Sequence, residues 1–200
     1  MIQSLTAFAV VPAYGRSRTS YDLLPEGTAA PVAQLRKDSV YDSPKPLGVF
    51  TGPGLDELQG YVTAGTAMGA DRVGHGRVGH SHAGVLRGEE WTFAQPGLPV
   101  LYGEPAGANS ALRHRFPLRM VLANGIFDSA LSFRLRYRAP DSAGFEFIRL
   151  AGVRGRYAVR IHDDRLSRLL VLSAVVRHCT FSDSDIRQFA LDLTTNPLRA

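Results

Sequence analysis

The sequence predicts a mainly β protein: a barrel of about twelve short antiparallel strands enclosing a hydrophobic helix near the C-terminal end, with one further short amphipathic helix after it. Three observations lead there. Residues 163–179, DDRLSRLLVLSAVVRHC, hold the densest apolar run, and Leu169, Leu170, Val171, Leu172, Ala174, Val175 and Val176 cover every side of a helical wheel. Such a helix is buried all round rather than along one stripe. The 20 Gly and 12 Pro among 200 residues imply many turns, hence many short strands. Several segments alternate apolar and polar residues with the period of a strand. A sheet must cover an all-apolar helix on every side, and a closed barrel does so while removing its own edges.

The helix is preferred over a strand for residues 163–179 because the run is about twice a usual strand in length. Asp163 and Asp164 are expected as the N-cap and first-turn acids, Arg177 and His178 as last-turn cations, and Ser182 as the start of a break. A membrane span needs about 20 apolar residues, and Arg168 and Arg177 bracket only eight.

Before the helix, residues 5–11 form a short apolar run that Pro12 is expected to end. Residues 21–24 and 32–36 read as a hairpin around PEGTAAP, and residues 47–50 as a further strand; residues 56–62 fit a strand or a helical turn. Residues 64–88 are punctuated by glycine, with Val73, Val78, Val85 and Leu86 as candidate core positions. Trp91 and Phe93 alternate before the Pro96-Gly97 turn, and residues 98–102 follow as a strand before a loop at 103–110. Leu118, Met120 and Leu122 alternate ahead of an Asn124-Gly125 turn. Phe133, Leu135 and Tyr137 then oppose Arg134, Arg136 and Arg138; Phe145, Phe147 and Leu150, and Tyr157, Val159 and Ile161, make the last two strands of a meander. Ile186, Phe189, Ala190 and Leu193 fall at helical spacing behind a Ser182 or Ser184 cap.

Length fits one domain over residues 1–200, with 181–200 as an extension. Lys and Arg exceed Asp and Glu by five (23 against 18), and the excess lies in the second half, 15 against 9, where the first half has 8 against 9. Lys occurs only at 37 and 45, a bias that a GC-rich bacterial genome also produces. The lone Cys179 excludes a disulfide framework. The start has no basic leader before its apolar run, so the expected location is cytoplasmic, at most peripheral to a membrane.

Meander strands followed by an apolar C-terminal helix entered through YAVRIHDDRLSRLLVLSAVV resemble the tubby C-terminal-like superfamily, which includes phospholipid scramblases and LURP-one-related proteins. YDLLPEGTAAPVAQLRKD is similar to that family's early paired strands, WTFAQPGLPVLYG to its mid-barrel strands, and His162, Asp163 and Asp164 to its Asp-rich helix entry. The likeness spans roughly residues 20–180. It implies a non-enzymatic, lipid-associated module whose members bind phosphoinositides through basic residues or, in scramblases, calcium. Neither residue set maps here one by one: Asp163 and Asp164 supply too few oxygens for a six- to eight-ligand calcium site.

Two constellations carry candidate chemistry. Arg134, Arg136 and Arg138 share one side of a strand, and Arg149, Arg154, Arg156 and Arg160 come from its expected neighbours, so an outer guanidinium patch for anionic headgroups is predicted, partly neutralised by Glu146 and Asp141. Nucleic acid is not favoured, because the nearby aromatics are needed inside. His75, His80 and His82 in HGRVGHSH are the alternative, a histidine-liganded metal site or metal-dependent hydrolase, since H-x-H puts two imidazoles on one face of a strand. Ser81 between histidines lacks the G-x-S-x-G context of a nucleophile, and Glu89 and Glu90 would face opposite ways. GPG at 52–54 lacks the Lys and the following helix of a phosphate cradle, so no catalytic residue and no cofactor is expected.

Overall fold

The computed structural model describes residues 2–14, 17–40, 43–82, 89–106, 133–150 and 156–179. Twelve antiparallel strands close into a barrel around one helix. The strands are β1 (Ala7–Tyr14), β2 (Thr19–Pro25), β3 (Ala33–Lys37), β4 (Leu47–Thr51), β5 (Glu57–Val62) and β6 (Thr66–Gly69). They continue with β7 (Gly74–His82), β8 (Glu89–Ala94), β9 (Leu101–Pro105), β10 (Phe133–Ala139), β11 (Ser142–Leu150) and β12 (Arg156–Ile161). Each strand pairs with its neighbours in sequence, and β1 pairs with β12 through Ala7–Arg160 to Val10–Tyr157, so the meander leaves no free edge. Residues 168–179 form the helix α1, in which every residue except Arg177 is buried.

Alternation sends one side of each strand onto α1. Tyr21 and Leu23, Leu47 and Val49, Trp91 and Phe93, Leu135 and Tyr137, and Phe145 and Phe147 all face inward and are at most 3% exposed. Where the strands are glycine-rich, the helix comes close. A Cβ added to Gly60 would stand 2.9 Å from Leu169 and also strike the Met68 carbonyl; one on Gly76 would stand 2.8 Å from Leu170 and strike the Ala94 carbonyl. Two glycines of the 60–88 region are therefore the floor against which leucines of α1 pack, and Gly76 in addition holds φ +132° at a bulge between β6 and β7.

The entry to α1 differs from the sequence expectation. Ser167, not Asp163 or Asp164, caps the helix, its Oγ accepting from Leu170 N–H at 3.4 Å. Asp163 is used in the turn before it, where its carboxylate accepts from Arg165 Nε (2.9 Å), Arg165 Nη2 (2.7 Å) and Ser142 Oγ (2.6 Å). Asp164 pairs with Arg168 at 3.3 Å. Two glutamines clasp this turn. Gln3 accepts from Arg168 N–H (3.1 Å) and donates to Leu166 O (2.7 Å); Gln95 accepts from Ser167 N–H (2.7 Å) and donates to Arg165 O (2.9 Å). Each amide closes a small ring with backbone groups that no helical turn could satisfy. The Arg168 guanidinium, on a residue 1% exposed, donates to the carbonyls of Leu5 and Leu166 at 2.7 Å each.

Pro12 does not end the first strand: β1 runs on to Tyr14, paired to β2 throughout, while its pairing to β12 among the described residues stops at Val10. Of residues 56–62, Glu57–Val62 form strand β5, and β9 begins at Leu101 rather than at residue 98 and runs through the expected loop start as far as Pro105. Val78 is core, whereas Val73 sits on a turn at 60% exposure. The candidate strand around Leu118 to Leu122, Val85, Leu86 and the amphipathic segment Ile186 to Leu193 lie outside the described residues. Among the described residues no helix is long and apolar enough to cross a membrane.

Two stability outcomes follow. Leu170→Ala should cost about 2–5 kcal/mol in denaturant unfolding, and single Asp substitutions at Leu170, Leu172 and Val176 should each prevent folding, because these positions face different sides of the helix. Ser81→Asp, on an exposed site, is the control. A core variant melting within a few degrees of wild type would exclude enclosure of α1. Gln3→Ala and Gln95→Ala should each cost about 1–3 kcal/mol by leaving a backbone N–H at the helix start without its acceptor, and unchanged melting of both would show the clasps to be idle.

Candidate functional site

The outer surface of β10–β12 carries the guanidinium patch. Leu135 and Tyr137 point inward, so Arg134, Arg136 and Arg138 point out, with side chains 44%, 42% and 58% exposed. Glu146 on β11 lies directly between Arg136 on β10 and Arg160 on β12 in the strand register. Its carboxylate is 3.6 Å from Arg134 Nε, 3.7 Å from Arg136 Nη1 and 3.7 Å from His162 Nε2, which roof it to 9% exposure although it faces outward. Arg138 is hydrogen-bonded to Glu104 through Nε at 2.9 Å, and Arg160 stands 3.8 Å from Glu26. Among the described side chains of this face, four outward arginines thus face three carboxylates. Asp141, expected to neutralise the patch, instead lends its carbonyl to Arg165 at 2.8 Å.

Arg149 does not belong to this face. It was expected outside, yet strict alternation from Phe145 and Phe147 turns it inward, and it is 1% exposed. Grouping Leu150 with Phe145 and Phe147 broke the period by one residue, and that misplaced the arginine. Arg154 lies outside the described residues, and for Arg156 only the backbone is described.

The histidines do not converge. His75 Nδ1 meets Ser167 Oγ at 2.9 Å at the start of α1, whereas His80 stacks on Trp91, ring centroids 4.0 Å apart, beside His178 at its end. Eleven residues of helix between Ser167 and His178 correspond to about 16 Å, and five strand residues between His75 and His80 give about the same. Metal ligands sit about 2 Å from their ion, so His75 and His80 cannot share one. His82 is placed only by its backbone pairing with Glu89. Among the described residues there is no group of three or more His, Cys, Asp or Glu able to hold a metal ion.

A buried cluster went unrecognised in the sequence. His178 Nε2 is 2.7 Å from the Tyr137 hydroxyl, and the ring lies between Trp91 (4.0 Å) and Phe147 (4.6 Å). Trp91 in turn is flanked by His80 and His178. Burial, with lesser repulsion from His80 and Arg177, pushes the His178 pKa down to about 3, and burial pushes that of Tyr137 up. His178 is therefore neutral and does not serve as a cation at the helix terminus; Arg177 does, donating to Ala64 O at 2.8 Å. The one signal for this is the histidine's place directly after an all-round apolar run and before Cys179. At the other end, the hydrogen bonds from Arg165, and then those from Ser142 and the Arg165 backbone, hold the Asp163 carboxyl well below the usual carboxylate range.

No family model, no curated protein and no solved structure matches this chain.

Because the folded state leaves His178 unprotonated down to about pH 3, whereas an unfolded histidine takes a proton near pH 6.5, acid favours unfolding. Stability should fall as pH drops below about 6.5, at up to about 1.4 kcal/mol per pH unit from this residue, and the loss should level off below the folded pKa. His178→Phe should show a shallower decline in melting temperature between pH 7 and 4.5. Equal slopes would place the proton uptake elsewhere.

Proposed function

We propose that the protein is a non-enzymatic binding module of the tubby-like type that takes anionic phospholipid headgroups on the outer face of β10–β12. The observation that carries this reading is the row Arg134, Arg136 and Arg138, aimed outward from one strand of a rigid barrel, with Arg160 two strands away across Glu146. Guanidinium forks fit phosphate oxygens in pairs, and a rigid sheet fixes the spacing of the backbone positions that carry them. The closed twelve-strand barrel around an apolar helix is also what the family resemblance implies. The carboxylates of Glu146, Glu104 and Glu26 offset most of the charge, so binding rests on exchanging ion pairs at the surface, the Arg138–Glu104 and Arg160–Glu26 pairs being the exposed ones, for headgroup contacts and is weak and salt-sensitive.

Liposomes with anionic headgroups should retain the protein at low salt and release it as salt rises. The Arg134→Ala, Arg136→Ala, Arg138→Ala triple variant should be retained much less, and Glu146→Gln more, because it frees Arg134 and Arg136 from their shared acid. Cosedimentation checks this; equal retention by neutral liposomes would refute the reading.

A further inference from the structure

A hollow of about 550 Å³ lies on the outside of the barrel where β1 closes against β12. Its floor is shallow where β1 meets β12 because the outward residues there are Ala7, Ala9 and Ala158, with Ala9 and Ala158 register partners, and Val11 and Leu24 continue the apolar lining towards β2; two strands beyond β12 the outward residues are arginines. Its wall is the turn after β2, which starts at Glu26, whose N–H donates to Ala7 O at 3.2 Å as the last rung of the β1–β2 ladder. That turn is fixed in advance: Thr28 donates to Pro25 O from both its N–H (3.1 Å) and its hydroxyl (3.0 Å), and Gly27 takes the left-handed φ of +80° that the bend requires. At the rim stand one cation and one acid, Arg160 and Glu26, 3.8 Å apart and 53% and 73% exposed. At that separation they make no hydrogen bond, and a pair so exposed contributes little to stability.

We infer that this hollow binds the chain of a single-chain anionic amphiphile, with the alkyl or acyl tail over the alanine floor and a carboxylate or phosphate head taken by Arg160 in place of Glu26. The volume lies within the range of about 300–1,000 Å³ typical of small-ligand pockets. The apolar floor offers a peptide or nucleotide no hydrogen-bonding side chain, so a polar ligand laid along it would lose hydrogen bonds to water that only the rim could return. A tail loses none. Arg160 is anchored on a strand and presents a fork of donors that suits a bidentate anion, whereas Glu26 sits on the turn and repels it. This site is separate from the Arg134 to Arg138 row, and its test uses monomeric ligands rather than membranes.

Isothermal titration calorimetry with dodecanoate and with dodecyl phosphate, each below its micellar concentration, should show saturable one-to-one binding by at least one of them. Which of the two binds tells a fatty-acid-like carboxylate from a lysophospholipid-like phosphate. Acetate and inorganic phosphate, heads without tails, should bind at least about tenfold more weakly, as should dodecyltrimethylammonium, the same tail with the opposite charge. Ala158→Leu, which fills the floor, and Arg160→Gln should each weaken binding about tenfold, and Glu26→Gln should tighten it. Ala9→Leu on the neighbouring strand replaces Ala158→Leu should the latter lower the melting temperature. The Arg134, Arg136 and Arg138 triple Ala variant should bind the amphiphile as wild type does, so failure of the liposome reading leaves this one standing. Absence of saturable binding by both anionic probes, binding unchanged by the floor substitutions, or equal binding of the cationic probe would overturn it.

Discussion

Enclosure of α1 governs the rest of the molecule. A helix apolar on every face has no side that water can tolerate, and only a wall continuous around it removes all of that surface from solvent. A single sheet supplies such a wall by closing on itself, which explains why the first strand and the last, far apart in sequence, meet over Ala7 to Val10. The same need sets the composition of the strands. Inward positions are large and apolar where the barrel has room, as at Tyr21, Trp91, Phe145 and Tyr157, and shrink to glycine at residues 60 and 76, where Leu169 and Leu170 come nearest.

Burying a helix also buries its ends, and the backbone groups there cannot reach water. At the start the chain answers with Gln3 and Gln95 from distant parts of the sequence and with Ser167 just before the helix, while Ser173 and Arg177 on the helix satisfy the carbonyls of Thr63 and Ala64 in the β5–β6 turn packed against it. None of these contacts adds apolar burial. They remove penalties, and they fix the rotation and depth of a helix whose uniformly apolar surface would otherwise be free to turn or slide within the barrel. Arg168 at the first helical position opposes the helix dipole, and its guanidinium is reconciled with that place only because backbone carbonyls and Asp164 surround it.

The barrel and its helix were legible because both rest on periodicity, which is a local property. The inward faces of Tyr21 and Leu23, Trp91 and Phe93, and Leu135 and Tyr137 follow from alternation alone. What failed depended on one-residue offsets or on partners far away in the chain. Counting Leu150 with Phe147 puts Arg149 outside, whereas the observed alternation from Phe147 turns it inward. The helix start was set too early because Asp163, a good cap by residue type, is bound by Arg165 and Ser142, and the choice between Asp163 and Ser167 is made by contacts across the barrel end. H-x-H spacing drew attention to His75, His80 and His82, but a bulge beside Gly76 and the length of strand between them separate His75 from His80. The partner of His178 is Tyr137, 41 residues away in sequence, beyond the reach of any local pattern.

The filled interior constrains where function can reside. Leu170, Val171, Leu172 and Ala174 occupy the barrel axis at 0% exposure, and Trp91, Phe147, His178 and Tyr157 stack around the end of the helix, so a ligand entering the barrel would have to displace the element that holds it together. The His178–Tyr137 pair has the bond length of a reactive dyad, yet its surroundings are aromatic rings and no solvent reaches it, so it acts as a satisfied polar contact within the core. In the proposed reading, recognition falls to the outer surface. There the sheet offers two chemically different areas within one short span of strands: arginines gathered around Glu146 on β10–β12, and an uncharged floor on β1 and β12 with Arg160 at the border between them. A rigid wall that must stay closed for its own stability is also a wall on which such charges and hollows keep their spacing, so the constraint that seals the interior supplies the preorganisation that an outer binding surface needs.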